Sequence, residues 1–279
     1  MRKYLLAAAA ASVMSTAAVA ADMPIAPPPA YAPPPVEDFG GWYLRGDIGM
    51  TNQSVKTLDS NAIGSVISST GIGFDSGMLV GVGVGYQFNN WIRADITGQY
   101  RGRANFHGSQ TVLYDNGLGP AYRADNYSGS KSEALFLANA YVDLGTWWCL
   151  TPFIGAGVGA SYNRIVGFRD DGIGNQFGAP LPVSVTNFAD AGKWNFAWAA
   201  HAGVGYKVSP SLTLELAYSY VDLGSAAPGN FTAFDLGATG PSSIKFKDIT
   251  SHDVKFGLRW NLDPAPVYAP PALPLIRKG

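Results

Sequence analysis

The chain has a single cysteine, few charges and, past its first twenty residues, no long apolar run. Each shortage removes a class of protein. One cysteine, Cys149, cannot close an internal disulfide, so no disulfide framework holds the fold. Charged residues make up only 14% of 279 and the formal net charge is −1. That is sparse for a soluble domain and gives no basic footprint for nucleic acid. Without a run of about 20 apolar residues, no helix can span a bilayer. The three histidines, His107, His201 and His252, do not fall at metal-ligand spacing. What the chain has in quantity is glycine, 34 residues, within a composition that is 47% hydrophobic and 13% aromatic.

The two ends read as segments outside the folded body. Arg2 and Lys3, an apolar run from Leu5 to Val13, and Ala18-Val19-Ala20 match an export signal over 1–20. Removing it leaves 17 basic and 20 acidic residues. A proline-rich linker follows over 21–40, with Pro27-Pro28-Pro29 and Pro33-Pro34-Pro35 around Tyr31, and a second proline-rich stretch occupies 263–279. Such composition favours extended, stiff spacers. An even number of strands would put both in the periplasm, as solvated spacers or as contacts to the cell wall or a periplasmic partner.

Between them, over 41–262, eight stretches alternate apolar and polar at every second residue, the period of a two-faced strand. They run Trp42–Met50, Met78–Phe88, Trp91–Arg101, Lys131–Leu144, Leu150–Val166, Trp194–Val208, Ser211–Leu223 and Ile249–Trp260. Asn89-Asn90, Gly145 to Cys149 and Ser209-Pro210 are tight connections with turn-forming residues. The other four, 51–77, 102–130, 167–193 and 224–248, are long and rich in Gly, Asn, Asp and Ser. This alternation predicts an all-β fold: an eight-stranded antiparallel transmembrane β-barrel, with four long loops outside the cell and short periplasmic turns. Cys149, in a turn beside Trp147 and Trp148, reads as a small apolar residue near the membrane interface.

Parity assigns the faces. Val80, Val82, Val84, Tyr86 and Phe88 share one side of their strand, and Gly81, Gly83, Gly85 and Gln87 the other. Aromatic placement decides which side is inside. Trp42, Trp91, Trp147, Trp148 and Trp260 fall at the turn ends, and Tyr100, Tyr162, Trp194, Tyr218 and Tyr220 at the loop ends. Two girdles around an apolar band match the two membrane interfaces, so outer-membrane lipid is the expected partner and the apolar face looks outward.

The inward face then collects the strand charges: Arg45, Arg93, Arg101, Lys207, Lys255 and Arg259 against Asp47, Asp95, Glu133, Asp143, Glu215 and Asp253. His201, Gln99, Asn139, Asn163 and Asn195 share it. A barrel of this size is only wide enough for side chains to fill. Two readings follow: a lumen plugged by ion pairs, or a narrow pore that opens when they rearrange. The glycines on this face alternate within strands and precede no helix, so they form no phosphate loop.

No catalytic constellation, cofactor site or metal site emerges. Ser251 and His252 are adjacent and point to opposite faces. His107 and Ser109 lie in a long connection. His201 and Glu215 face inward on neighbouring strands and read as one more structural contact. Asp170, Asp171 and Asn175 could bind a cation loosely, with solvated loop acids as the default reading.

Certain motifs carry a family resemblance. They are Gly40-Gly-Trp-Tyr-Leu-Arg-Gly-Asp-Ile-Gly49, Gly81-Val-Gly-Val-Gly-Tyr-Gln-Phe88, and Tyr-Val-Asp-Leu-Gly at 141–145 and again at 220–224. Together they resemble the small outer-membrane β-barrel proteins of alphaproteobacteria, known as outer-membrane immunogenic or porin-family proteins with an OmpA-like transmembrane barrel. The resemblance implies a surface antigen or envelope-stabilising barrel rather than an enzyme. A small-solute channel and a surface receptor for a ligand such as haem, held by loop aromatics and His107, are its alternatives. Such barrels usually end at a terminal aromatic, whereas here Phe256, Leu258 and Trp260 are followed by the proline-rich stretch.

Overall fold

The computed structural model describes residues 40–60, 64–115 and 117–263. The expected export signal and the proline-rich segments, apart from Gly40 and Asp263, lie outside them. The described residues form strands in the order β1 (Gly41–Asp59), β2 (Ser65–Phe74), β3 (Gly77–Gln87), β4 (Ile92–Asp115), β5 (Pro120–Asp143), β6 (Leu150–Gln176), β7 (Ala179–Phe188), β8 (Ala191–Lys207), β9 (Leu212–Ala226), β10 (Phe231–Ala233), β11 (Ala238–Gly240) and β12 (Lys245–Asn261). No helix occurs among the described residues.

Eight of these strands make a ring. β1 pairs β3, and the antiparallel ladder continues through β4, β5, β6, β8, β9 and β12, which pairs back onto β1 from Tyr43↔Asn261 to Asp59↔Lys245. Closure leaves the ring no free edge. The remaining four strands sit at the loop end: β2 on β4, β7 on β6, and β10 on both β7 and β11.

The tight turns are built as the residues dictate. The Asn89 side chain accepts from the amides of Trp91 and Ile92 at 2.8 Å, closing β3 onto β4. Trp147 and Leu150 exchange backbone bonds around Trp148 and Cys149, both at positive φ (49° and 70°). Ser209 closes β8 onto β9 through Leu212.

Large apolar side chains face outward over the middle of the ring. Ile48, Val82, Ile96, Val158, Phe196 and Val254 are all exposed, and the charged residues opposite them are buried. The interface aromatics follow suit: Trp42, Trp91, Trp147, Trp148, Trp260, Tyr100, Trp194 and Tyr218 are exposed, and Tyr162 and Tyr220 half-exposed.

The four long connections differ from expectation. Most of their residues continue the ring strands or form β2, β7, β10 and β11. β1 runs to Asp59 rather than Met50, and β4 and β5 stay paired from Ile92↔Val142 to Asp115↔Pro120. The physical reason is a switch of parity. Along β4 the buried positions are odd up to Arg101 and even from Ala104, across a register shift between them. In β6 the switch falls at Gly167, whose φ of +59° suits glycine, so Ile165 and Phe168 both point inward. Asp248 (φ 51°) and Gly224 (φ 75°) mark the same break where β12 leaves register with β9. Beyond these bulges the outer face meets water and the inner face turns apolar, so the pattern that marks a membrane strand ends while the strand does not.

Candidate functional site

The interior is the first candidate, and its side chains meet in three layers. Towards the turn end, Arg45 on β1 is held by Asp47 at 2.8 Å, by Asp95 on β4 at 2.9 Å and by Glu215 on β9 at 3.5 Å. Arg93 on β4 pairs with Asp143 at 3.1 Å and reaches Glu215 on the opposite wall at 3.3 Å. Arg259 approaches the same Glu215 oxygen at 3.1 Å and donates to Gln87 at 3.0 Å. These two contacts to Glu215 Oε1 are ion pairs without hydrogen-bond alignment. Tyr43 donates to Asp95, Arg45 donates to Tyr141, and the Arg93 guanidinium lies 4.3 Å from the centre of the Tyr141 ring and 4.6 Å from that of Phe153. All these charged groups are buried.

The second layer joins Arg101 to Glu133 at 3.1 Å and to Asp253 at 2.6 Å. Lys131 pairs with Glu133 and donates to Gln53 at 2.9 Å, while Gln53 donates to Glu133 at 3.2 Å. Above it, Phe74, Phe106, Phe168 and Phe246 close on one another with ring centres 4.9–5.9 Å apart, and Lys131 sits 5.6 Å from the Phe74 ring.

Glycine makes the first layer possible. A Cβ at Gly85 would land on the Tyr43 ring, at Gly155 on Tyr141, and at Gly203 within 2.6 Å of Phe153. The bare strands leave room for long chains from their neighbours.

Most of the charges assigned to the lumen come together in these layers, with two exceptions. Lys207 is exposed at the turn-end mouth, past the last full layer, and makes no ion pair among the described residues. Its place in the buried balance of six against six is taken by Lys131. Lys255 is buried but has no carboxylate within ion-pair range among the described residues. Strand parity could have found Lys131, Tyr43 and Tyr141, which alternate with Glu133, Arg45 and Asp143. Gln53 lies beyond the expected end of its strand and gave no such signal.

Among the remaining polar residues, Ser251 and His252 take opposite faces as expected, while His201 and His107 find other partners or places than the sequence suggests. His201 contacts Ser219 through Nδ1 at 2.8 Å and Asn139 through Nε2 at 3.1 Å, rather than Glu215, because those side chains flank it at the same height. Asn139 in turn donates to Asp95 at 2.7 Å. Asn163 and Asn195 donate to the carbonyls of Leu223 and Ser225, which the bulge at Gly224 takes out of the ladder. Ser251 donates to Asp253 inside, while His252 contacts Tyr218 on the outer face. His107 lies on the outer face of β4 rather than in a loop, 3.6 Å from Asp75.

A second candidate lies above the phenylalanine layer. A cavity of about 640 Å³ opens among the strand extensions, with Tyr127 and Phe188 at its base and Arg123, Asp125 and Asp170 on its wall. Asp170 is therefore not a solvated loop acid; register places it across from Tyr127 and diagonal to Asp125. Arg123 donates to Asp125 at 2.6 Å, and Asp171, on the outer face, is held by Arg169. Burial, followed by the neighbouring Asp125, pushes the Asp170 carboxyl up to about 7, against the pull of Arg123.

Comparison with known proteins adds a family and relatives. A model described as the outer membrane protein beta-barrel domain matches residues 5–261. An uncharacterised protein of Brucella suis is 31% identical over 274 residues, covering 88% of this chain and 93% of its own. A protein of Rickettsia bellii whose name proposes it as an adhesin is 30% identical over 266 residues, covering 94% of this chain and 100% of its own. The outer membrane protein PagN of Salmonella typhimurium is 24% identical over 151 residues, 53% of this chain and 58% of that one.

Proposed function

Since the chain belongs to the outer membrane protein beta-barrel family and sits in the outer membrane of a Gram-negative cell, we propose that it works as a non-conducting surface barrel. Its binding surface is the strand extension beyond the outer leaflet. The observation that carries this reading is the filled interior: Arg93 and Glu215 meet from opposite walls, and a phenylalanine layer lies above them. An ion would have to break buried pairs and then part packed rings.

The extension, in contrast, presents apolar side chains to water at its tips. Leu118, Phe177, Phe234 and Leu236 are each at least two-thirds exposed. Exposed apolar clusters on a rigid support suit contact with another surface. The adhesin name of the Rickettsia bellii relative accords with that use. The haem reading draws no support from His107, which faces away from the loop-end cavity. The export signal over 1–20 and the proline-rich segments over 21–40 and 263–279 complete the proposal as a leader and periplasmic spacers. We assign no catalytic role, because each interior His or Ser considered is engaged in a structural hydrogen bond.

Attachment of cells displaying the protein to a cultured epithelial layer tests the surface role. Replacing Leu118 and Phe177 together by serine should reduce attachment severalfold at equal surface display. Unchanged attachment would remove the tip surface from the proposal. In planar bilayers the refolded barrel should stay silent, and regular conductance steps would restore the channel reading.

A further inference from the structure

The cavity above the phenylalanine layer is not explained by adhesion through the loop tips. Its wall combines apolar side chains, Leu181, Phe231, Leu236 and Ile244, with carboxylates that outnumber the cations. Among the described residues, Asp115, Asp125, Asp170 and Asp235 line it against the single base Arg123. The Arg123 Nε is already engaged by Asp125, and Asp115 accepts from the amides of Gly117 and Gly119 in its own turn. Asp170 is different: its Oδ1 is buried and has no hydrogen-bond partner among the described residues. A buried carboxylate oxygen left so is costly unless a donor arrives. The surroundings do not suit a bare metal ion, since no group of three His, Cys, Asp or Glu side chains converges among the described residues.

We propose that this cavity is a binding site for a small organic cation, an ammonium group on an apolar body, with the ammonium donating to Asp170 and the body lying against Leu181 and Phe231. The volume of about 640 Å³ is within the range of small-molecule sites. Gly172 shapes the site, because a Cβ there would collide with Ser184 and with the Arg123 guanidinium. The inference is independent of the surface role: a barrel that never adheres could still hold the amine.

Calorimetric titration of the full chain, refolded in a non-ionic detergent with empty micelles as the blank, tests it on three molecules of one shape. Phenethylamine should bind saturably at one site per barrel, with 2-phenylethanol and 3-phenylpropionate at least tenfold weaker. Asp170→Asn should weaken phenethylamine about tenfold, and Asp171→Asn, on the outer face, should leave it unchanged. A heat-dependent gel shift confirms that each variant is folded. If Asp170→Asn fails that check, Leu181→Trp, which fills the cavity, must abolish binding instead. Equal affinity for the alcohol, no saturable binding of the amine, or full binding by a folded Asp170→Asn barrel would overturn the proposal.

Discussion

The membrane zone of the barrel and its extension into the medium are one continuous sheet with opposite polarity. In the membrane zone Ile48, Val82 and Phe256 look outward and Arg45, Arg93 and Glu215 look inward. In the extension Phe106, Phe168 and Phe246 look inward, while Arg103, Asn105 and His107 look outward. The hydrophobic effect acts in both, but lipid lies outside the first and water outside the second. The bulges at the boundary let one strand obey both rules, since a single extra residue exchanges the two faces. The two zones also close the lumen by different means, charge pairing in one and ring packing in the other.

The sharpest way to break this contrast is to remove a charge from each zone. Glu215→Ala takes from Arg259 its one carboxylate among the described residues, takes one partner each from Arg45 and Arg93, and should cost about 3–5 kcal/mol. Arg169→Ala in the extension breaks a half-exposed pair and should cost under about 1 kcal/mol. Urea midpoints of the refolded barrels in detergent compare them; equal losses would mean that the inner layer is wet.

Phe246→Ala should cost about 3 kcal/mol, felt mainly in the extension, because that ring touches Phe74, Phe106 and Phe168 at once. Protease applied to intact cells should then cut the extensions faster, while the heat-dependent gel shift of the membrane zone persists. Loss of both together would show the zones to be one cooperative unit.

Gly167→Ala probes the boundary itself. Space around that position is open, so the cost is conformational alone, about 1–2 kcal/mol for a left-handed backbone. Hydrogen exchange should quicken in β6 beyond Gly167 and stay slow before it.

A pH dependence confined to the extension sharpens the contrast further. Asp170 titrates near 7 in the folded chain because of burial and Asp125, against about 3.9 when unfolded. The folded state therefore holds this proton more tightly. Its contribution is fully present below pH about 4 and is lost as pH rises through about 7. Exchange protection around Asp170 should fall across that window, and Asp170→Asn should flatten the profile.

How far the sequence could be read follows from these same physics. Period-two alternation and sorted aromatics were enough for eight membrane strands, their outward apolar face and most of the buried charges, because lipid imposes one rule on every strand. The strand extensions look like loops in the sequence because each bulge resets the parity of the alternation. Lys131 was visible in principle, two residues before Glu133 on the same face. Lys207 falls outside the buried layers because parity gives direction and not height along the barrel.

The sequence by itself determined the barrel, its eight spanning strands and which residues turn from lipid, since these depend only on local alternation against a uniform solvent. Only the tertiary structure decided which charge meets which across the lumen, where the polarity inverts, and that Asp170 faces a cavity rather than water. Those depend on distances between strands far apart in the chain, and ring closure sets them.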